Sequence, residues 1–557
     1  MRCSGSDVLI HVLIEQGVDT IFGYPGGAVL NIYDALYDYS DRIRHILTVD
    51  EQGACYAADG YARATGKTGV VLATSGPGAT NLVTGIANAY MDSIPLVAIT
   101  GNVASDMIGK DSFQEIYITG CTMPITKHNF VVRKVEELAP ILRRAFDIAE
   151  SGRKGPVLVD LPKDITAALT EYIPVEASDK PQGEAVAEPS STDLDLVCKL
   201  IQTAERPLIY AGGGMISGQA EEALLALMEK AQIPACHTIM GIGALPDDHP
   251  LNLGMVGMHG KTSANRAVEN CDLLLALGVR FSDRVALNFK HFAPQATLVH
   301  VDIDPSEHHK NVAVDLAVAA DAKPFLEGLL ALVQPCRHDL WQGELKAFQA
   351  EDWQAPPKDE RLAPTALVET MAHFIGERGI MVTDVGQHQM WAAQSAHRSQ
   401  PRTFITSGGL GAMGYGYGAA IGAALARPDE RVLHITGDGS FHMNMNELAT
   451  AVHYKLPIVT VIFDNQALGM PRQWQHYIYK DRYAMSDFFR ATDYVAFAEA
   501  LGARGDHPRN MTEFEGALAD AFTRSGPTVI WCEIDRHAQV LPMIPAGGTV
   551  ADSITTA

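Results

Sequence analysis

The sequence predicts an α/β protein built from three doubly wound parallel-sheet domains. Apolar runs of five to eight residues recur along the 557-residue chain, and each is followed by a glycine turn and a helical pattern. Uninterrupted apolar strands that alternate with helices are typical of parallel sheets covered on both faces. Two segments rich in Pro, Ser and charge interrupt this pattern and divide the chain into three parts.

Each part carries three of these predicted strands. The first part has TGVVLATSGPG at 68–78, IPLVAITG at 94–101 and PVLVDLP at 156–162. The second part has PLIYAGGG at 207–214, LLLALGVR at 273–280 and LVHVDIDP at 298–305. The third part has GIMVTDVG at 379–386, VLHITGDG at 432–439 and PIVTVIFDN at 457–465.

The interrupting segments, 174–193 and 350–364, hold too few large apolar residues to form a core, so we interpret them as linkers. Three α/β domains follow, with a short C-terminal tail. Their expected bounds are 1–170 for the first domain, 190–340 for the central domain, 365–535 for the third domain and 536–557 for the tail.

The first and third parts also resemble each other. Residues 74–102 and 436–465 both show a glycine turn after a strand, then a helix, then a second strand that opens with proline. Gly76 precedes Pro95 by 19 positions and Gly437 precedes Pro457 by 20. One supersecondary unit used twice would explain this spacing, although any two βαβ units share the same general pattern.

Charge and composition exclude several classes of protein. The chain has 43 Lys and Arg against 66 Asp and Glu, a net charge of −23, and no basic tract, which argues against a nucleic-acid or polybasic membrane surface. Asp7 and Glu15 interrupt the apolar run that a secretory signal needs. The eight cysteines form no C-x-x-C pair, so we expect reduced thiols in a cytoplasmic enzyme.

The sharpest local motif is Gly437-Asp438-Gly439-Ser440, which follows a predicted strand. Asn465 ends the next predicted strand, 27 residues after Asp438. Adjacent parallel strands bring their carboxyl ends to one crevice, where ligands of open α/β sheets bind. Carboxylate and amide oxygens suit Mg²⁺, which is commonly completed by phosphate oxygens and water. A lone Gly-Asp-Gly is more often a plain turn, so the second ligand is what favours a metal site.

With these motifs the sequence resembles the thiamine diphosphate enzymes, and among them the catalytic subunits of acetolactate synthases. The resemblance covers nearly the whole chain. The matching segments are FGYPGGAVLNIYDAL at 22–36, EQGACYAADGYARATGK at 51–67, SGPGATNLVTG at 75–85, FQE at 113–115, SGRKGPVLVDLPKD at 151–164, GMVGMHG at 254–260, TDVGQHQMWAAQ at 383–394, SGGLGAMGYG at 407–416 and LGMPRQWQ at 468–475.

The resemblance implies a role for individual residues. Glu51 is the carboxyl group that exchanges a proton with the cofactor's pyrimidine ring, Gln114 is a second catalytic residue, and Met413 is an apolar wedge that bends the cofactor. The implied Mg²⁺ ligands are Asp438, Asn465 and the backbone carbonyl of Ala467. The residues implied to contact thiamine diphosphate are Tyr24, Pro25, Gly26, Glu51, Pro77, Gln387, His388, Gly411, Met413, Gly439, Ser440 and Met470.

A second cofactor is implied for the central domain. FAD-dependent acetolactate synthases carry GMHG and G-x-R-F-x-D-R segments, which this chain has at 257–260 and 278–284. A glycine triplet such as 212–214 would be weak evidence alone. The implied FAD contacts are Arg153, Gly212, Gly213, Met258, His259, Gly278, Arg280, Asp283, Arg284, Asp302, Ile303 and Asp321.

The implied reaction is decarboxylation of pyruvate and condensation with a second 2-oxoacid, either pyruvate or 2-oxobutanoate. Phe113, Arg133 and Trp474 are the expected substrate contacts. A flat aromatic wall at Trp474 would reward the extra methyl group of 2-oxobutanoate by about 1–3 kcal/mol. The resemblance also implies a homodimer or homotetramer and a small regulatory subunit.

Other activities remain open at this point. Another carboligase or decarboxylase of the same cofactor class, such as a sulfoacetaldehyde acetyltransferase-like or pyruvate oxidase-like enzyme, shares these motifs. A flavin-dependent oxidoreductase would use only the central domain, and a catalytically inactive paralogue would explain the departures from the family pattern.

Three departures stand near the implied site. Asp50 occupies a position where the family has His, Pro471 replaces an apolar residue, and Gly416-Tyr417-Gly418 lacks the usual Leu-Pro. Asp50 would raise the pKa of one carboxyl group of the Asp50–Glu51 pair if both were buried, or have no effect if it faced water. Pro471 removes a backbone N–H beside the substrate wall.

Overall fold

A computed structural model describes residues 1–175, 187–353, 361–488 and 491–556. About half of each predicted linker, residues 176–186 and 354–360, lies outside these ranges. Within the described ranges no helix is both long and apolar enough to cross a membrane.

Three six-stranded sheets, all parallel, form the framework and confirm the predicted fold class. The strands of the first sheet are β2 (Thr20–Gly23), β3 (Arg44–Leu47), β4 (Gly69–Ala73), β5 (Leu96–Asn102), β6 (His128–Val131) and β7 (Pro156–Pro162), in the order β3-β2-β4-β5-β7-β6. A small antiparallel pair joins β1 (Arg2–Ser4) to β8 (Leu169–Glu171). The helices of this part are α1 (Gly5–Glu15), α2 (Leu30–Asp38), α3 (Glu51–Thr65), α4 (Pro77–Asn81), α5 (Val83–Met91), α6 (Ile118–Thr122), α7 (Leu138–Glu150) and α8 (Lys163–Ala167).

The central sheet has a different strand order. Its strands are β9 (Pro207–Ala211), β10 (Ala235–His237), β11 (Asn252–Met255), β12 (Leu273–Leu277), β13 (Thr297–Asp302) and β14 (Leu316–Ala319), in the order β11-β10-β9-β12-β13-β14. Its helices are α9 (Ser191–Thr203), α10 (Gly213–Ser217), α11 (Glu221–Ala231), α12 (Thr262–Asn270), α13 (Ala322–Leu332) and α14 (Asp339–Ala350). In chain order this is 3-2-1-4-5-6, the arrangement of dinucleotide-binding folds, in which ligands bind where the order reverses.

The third sheet repeats the strand order of the first. Its strands are β15 (Ile380–Thr383), β16 (Phe404–Ile405), β17 (Val432–Gly437), β18 (Ile458–Asp464), β19 (Arg504–Asp506) and β20 (Thr528–Glu533), in the order β16-β15-β17-β18-β20-β19. Its helices are α15 (Pro364–Ile375), α16 (Gln387–Ser395), α17 (Tyr415–Ala426), α18 (Asp438–Asn444), α19 (Leu448–His453), α20 (Gly469–Tyr479), α21 (Tyr494–Ala500) and α22 (Met511–Ala521). Both sheets read 2-1-3-4-6-5, which supports the predicted repeat.

The first and third parts share a continuous core, because α3 packs directly against α17. The contact is close: a Cβ on Gly60 would lie 2.6 Å from the Cα of Ala419, and one on Gly422 would lie 2.6 Å from the backbone N of Tyr61. Only glycine allows the two backbones to approach this far.

The C-terminal segment 536–556 lies across the third and central parts. Gln473 on α20 donates to the carbonyl of Val540 at 3.0 Å, and the Ile544 amide donates to the carbonyl of Met258 at 2.9 Å. The segment therefore ties α20 to the central part of the chain.

Candidate active site

The predicted metal ligands lie at the carboxyl ends of the adjacent strands β17 and β18, as their positions in the sequence predicted. Asp438 begins α18 directly after β17, and Asn465 follows β18. Both side chains are buried. The Asn465 Oδ1 atom accepts from the Ala467 amide at 3.1 Å, so this side chain folds over the turn whose carbonyl is the third predicted ligand.

The surroundings of Asp438 fit a bound cation. Its Oδ1 atom accepts from the Gly439 amide at 2.9 Å, while its buried Oδ2 atom has no hydrogen-bond partner in the described structure. Burial, together with the neighbouring Asp464 carboxylate, raises the pKa of Asp438 to about 8. A buried acceptor without a donor is costly, and a divalent cation would supply the missing interaction. The described residues contain no cluster of three or more His, Cys, Asp or Glu that could hold a metal.

Further predicted cofactor contacts surround this point. The Gln387 Oε1 atom accepts from Asn465 at 3.3 Å, and Ser440 donates to the carbonyl of Val385 at 2.9 Å. His388 is buried and its Nε2 atom has no hydrogen-bond partner, while burial lowers the pKa of His388 to about 4. A neutral imidazole with an unsatisfied nitrogen suits a polar ligand such as a diphosphate.

The loop before α17 carries Met413. Its side chain approaches Gly439, since a Cβ there would lie 3.8 Å from the Met413 Cε atom. Gly411 in the same loop has a φ of 68°, which favours glycine. Met470 is the second residue of α20 and packs partly into the core of the third part. The structure thus brings the predicted third-domain residues together around Asp438.

The predicted proton-exchanging residue lies in the first domain. Glu51 is the first residue of α3 and is buried; Asn81 donates to its Oε2 atom at 2.9 Å. A Cβ on Gly78 would lie 2.9 Å from the Glu51 Oε1 atom, so the turn at 76–78, which holds Pro77, packs against this carboxylate. Gln114 reaches the same turn, because a Cβ on Gly76 would lie 2.9 Å from the Gln114 Cα atom.

The remaining predicted contacts of the first domain lie in the loop after β2. Tyr24 and Pro25 are exposed, and Gly26 fits closely against Thr74, where a Cβ would lie 2.5 Å from the threonine Cβ. Because β2 and β3 are neighbours, this loop lies at the same edge of the sheet as the start of α3.

Asp50 has a role that neither sequence-based alternative described. Its carboxylate caps α3 by accepting from the Gly53 amide at 2.8 Å. Glu447, from the third domain, accepts from the Val49 and Asp50 amides at 3.1 and 3.2 Å. Burial raises the pKa of Glu447 to about 7, and the Asp50 charge contributes. The substitution therefore acts on Glu447 and on the start of the helix that carries Glu51.

The other departures are accommodated by local geometry. Pro471 is the third residue of α20, where the backbone N–H has no intrahelical acceptor, so proline removes no helical hydrogen bond. Gly418 stands where the family usually has proline. A Cβ on Gly418 would lie 2.7 Å from the Tyr56 Cβ atom on α3, so this chain leaves no room there for a proline ring.

The three predicted substrate contacts are not joined within the chain. Phe113 is 87% exposed beside Gln114. Trp474 is half-buried on α20. Arg133 is exposed just after β6, the edge strand farthest from α3.

A large cavity of about 530 Å³ opens where β9 and β12 meet, the point at which the central strand order reverses. A Cβ on Gly214 would lie 2.6 Å from the Gly278 Cα atom, so the two glycine turns nearly touch and leave backbone exposed to a ligand. The size and position of the cavity fit a dinucleotide. Ten of the predicted FAD contacts line it: Arg153, Gly212, Gly213, Gly278, Arg280, Asp283, Arg284, Asp302, Ile303 and Asp321.

Two predicted FAD contacts lie elsewhere. The Met258 carbonyl accepts a hydrogen bond from the Ile544 amide in the C-terminal tail, and the His259 carbonyl accepts one from the Gln394 side chain at 2.9 Å. Neither residue lines the cavity. Other residues line the cavity although the sequence did not suggest them as FAD contacts, because they come from other domains or from turns without an FAD motif. These residues are Arg63, Asp92, Thr238, Met240, Lys310, Arg402, Gly408 and Gly409.

Comparison with protein families defines the class. Residues 3–121, 194–329 and 384–532 match the N-terminal TPP binding domain, the central domain and the C-terminal TPP binding domain of the thiamine pyrophosphate enzymes, TPP being thiamine diphosphate. The fold, the site and these matches make the chain a member of that class.

Full-length relatives narrow the assignment. The chain is 45% identical to the probable acetolactate synthase large subunit of Methanocaldococcus jannaschii, over 99% of this chain and 95% of that protein. It is 43% identical to the acetolactate synthase isozyme 2 large subunit of Escherichia coli over 99% of both, and 44% identical to the acetolactate synthase of Mycobacterium leprae over 98% and 90%. The chain belongs to the acetolactate synthase large subunit family, which confirms the predicted resemblance.

Proposed function

We propose that this chain is an acetolactate synthase that condenses pyruvate with a second 2-oxoacid. The observation that carries the proposal is the convergence of Asp438, Asn465, Gln387, His388 and Met413 at one sheet edge, in a chain that belongs to this family throughout its length. The products are 2-acetolactate, or 2-aceto-2-hydroxybutanoate when 2-oxobutanoate is the second substrate, at the start of branched-chain amino acid synthesis.

The proposed cofactor roles follow from the two domains. Thiamine diphosphate supplies, when bound, a carbon nucleophile for the 2-oxo group of pyruvate. Asp438, Asn465 and the Ala467 carbonyl would hold the Mg²⁺ ion, and Gln387 and His388 would contact the diphosphate. Glu51 would hold or release a proton at the pyrimidine ring, with Asn81 fixing one carboxylate oxygen. General acid–base catalysis of this kind contributes about 10²–10⁴ to a rate.

FAD is the proposed occupant of the central cavity. Its role would be structural, because the condensation transfers no net electrons. The proposed domain division, 1–170, 190–340 and 365–535, follows the three sheets, whose strands span 20–162, 207–319 and 380–533.

A homodimer is proposed as the smallest active unit. Apolar side chains are exposed beside both halves of the site: Tyr24 (40%), Leu30 (54%) and Val49 (40%) near the start of α3, and Leu410 (39%) and Met443 (56%) near Met413. A second copy would cover these surfaces and bring Glu51 of one chain to Asp438 of the other. The relatives' designation as large subunits also suggests a smaller regulatory partner. We propose a cytoplasmic location, since all eight cysteines are free thiols.

The activity is tested with pyruvate, thiamine diphosphate, Mg²⁺ and FAD, followed by acidification and measurement of acetoin. We expect acetoin from the wild type, and a loss of about 10²–10⁴ in kcat for Glu51→Gln. Cofactors demonstrably bound without acetoin would refute the proposal. Omitting FAD should lower the amount of assembled enzyme. When FAD is present, it should not become reduced during turnover.

The dimeric site is tested by complementation. Glu51→Gln and Asp438→Asn should each be inactive alone. If the site joins two chains, a mixed dimer contains one intact site, and random mixing should restore about a quarter of the wild-type activity. A site within one chain would give no restoration.

A further inference from the structure

A buried ionic cluster lies where α3, α5 and α17 meet. The side chains of Asp59 and Asp92 are fully buried and that of Arg63 is 6% exposed. Arg63 donates to the Asp59 Oδ1 atom at 2.6 Å and to the Asp92 Oδ2 atom at 2.9 Å, and Tyr415 donates to Asp59 at 2.6 Å. Buried charges persist only when nearly every polar atom has a partner, so this geometry is tightly specified.

Asp92 directs its carboxylate to a loop of the third domain. Its Oδ2 atom accepts from the Gly408 amide at 3.1 Å and its Oδ1 atom from the Gly409 amide at 2.8 Å. A Cβ on Gly409 would lie 2.7 Å from Asp92 Oδ1, so a side chain there would collide with the carboxylate. This loop, residues 407–414, is the one that carries Met413.

A second contact from the first domain holds the same loop. Asn88 accepts from the Ser407 hydroxyl at 2.5 Å, and that hydroxyl oxygen accepts from the Ala412 amide at 2.9 Å. The loop is therefore anchored at its start by first-domain residues, and the residue before Met413 is part of the anchor.

Asp92 also lies in the wall of the central cavity. Asp92, Gly408 and Gly409 all belong to the cavity wall, and the Arg280 Nη2 atom, from the central domain, lies 4.0 Å from Asp92 Oδ1. Asp92 thus holds the Met413 loop with its carboxylate and belongs to the wall of the proposed flavin cavity.

We propose that Asp92 is a positioning residue that couples the two cofactor sites, so that a dinucleotide in the central cavity tightens thiamine diphosphate binding through the loop at 407–414. A ligand in the cavity would pack against Arg280, Gly408 and Gly409, and would stabilise the loop in the position where Asp92 accepts from its two amides. The inference rests on the proposed assignment of the two sites. It adds a residue that contacts neither reacting atoms nor substrate.

The test is a binding linkage measured by calorimetry on cofactor-stripped enzyme. The dissociation constant of thiamine diphosphate with Mg²⁺ is measured without FAD and with saturating FAD, and saturation is verified by flavin absorbance. Couplings between sites typically change affinity by about 5–150-fold, so FAD should tighten binding to the wild type at least about fivefold. Asp92→Asn, which removes the charge and one acceptor oxygen, should reduce this ratio to nearly one.

Two further variants make the test specific. Gly409→Ala leaves all charges in place and displaces the loop from Asp92, so it should also abolish the coupling, and it decides the question if Asp92→Asn does not fold. Asp59→Asn disrupts the same cluster but reaches the loop only indirectly, through Asn88 and Arg63, so it should lower the melting temperature and keep most of the coupling ratio.

Three results would overturn the inference. The first is a wild-type protein whose thiamine diphosphate dissociation constants without and with FAD are nearly equal, and the second is an unchanged ratio of these constants in both Asp92→Asn and Gly409→Ala. The third is a loss of coupling in Asp59→Asn as large as that in Asp92→Asn. None of these depends on turnover. Acetoin formation without coupling would remove only this inference, and coupling without acetoin would remove only the proposed activity.

Discussion

The contact between α3 and α17 predicts a large and specific effect of adding one methyl group. A Cβ on Gly60 would lie 2.6 Å from Ala419 Cα, and one on Gly422 would lie 2.6 Å from Tyr61 N, whereas ordinary contacts begin at 3.4 Å. The helices must separate by about 1 Å to accept alanine, and overpacking of this kind costs about 1–3 kcal/mol. Alanine also favours a helix over glycine by about 0.5–1 kcal/mol, which offsets part of that cost.

A matched control isolates the collision. Gly516 lies inside α22, and an alanine methyl group there would meet nothing within 4 Å beyond the neighbouring residues and backbone of its own helix, so Gly516→Ala should stabilise the protein. Differential scanning calorimetry should show Gly60→Ala and Gly422→Ala melting below the wild type and Gly516→Ala at or above it. At about 2–4 °C per kcal/mol for domains of this size, the separation should reach several degrees. Equal behaviour of all three variants would refute the reasoning.

Three more outcomes are expected. Burial raises the pKa of Glu447 to about 7 in the folded protein, whereas the unfolded chain has the ordinary pKa of 4.5. Folded stability should therefore fall by about 3 kcal/mol as pH rises across this window, and Glu447→Gln should gain melting temperature relative to the wild type between pH 5 and 8; parallel curves would contradict this. Trp474→Leu should lower the preference for 2-oxobutanoate over pyruvate about tenfold without abolishing the condensation. A competition assay measures this as the ratio of the two products, and an unchanged ratio would show that Trp474 is not the aromatic wall of the substrate site. Pro471→Val should leave the melting temperature within about 2 °C, since no hydrogen bond is at stake, and a larger drop would show that proline itself fixes the start of α20.

The sequence predicted nine of the twelve interior strands and none of the six edge strands. The three interior strands that it missed are β2, β10 and β20. All nine predicted strands lie inside the sheets, where burial on both faces demands continuous apolar residues. The six edge strands were missed, because strands such as β16, with two residues, and β19, with Arg504 and Asp506, carry no such run.

The candidate site divides in the same way. The shared position of Asp438 and Asn465 was predictable because both residues follow strands that are adjacent in the sheet. Glu447 and Asp92 were not, because their partners lie hundreds of residues away and no local motif marks a contact between domains. Met258 and His259 belong to a family segment, yet the fold directs their carbonyls to the tail and to α16.

The packing of α3 on α17 has a consequence for the architecture of the whole chain. Each helix follows the second strand of its own sheet, and each carries the same kind of small-residue tetrad, Ala57-Ala58-Asp59-Gly60 and Ala419-Ala420-Ile421-Gly422. Gly60 meets Ala419 while Gly422 meets Ala57, so the contact is reciprocal, as in an isologous interface between identical subunits. One polypeptide therefore contains the geometry of a dimer, and a pair of chains would present four related half-sites arranged around it.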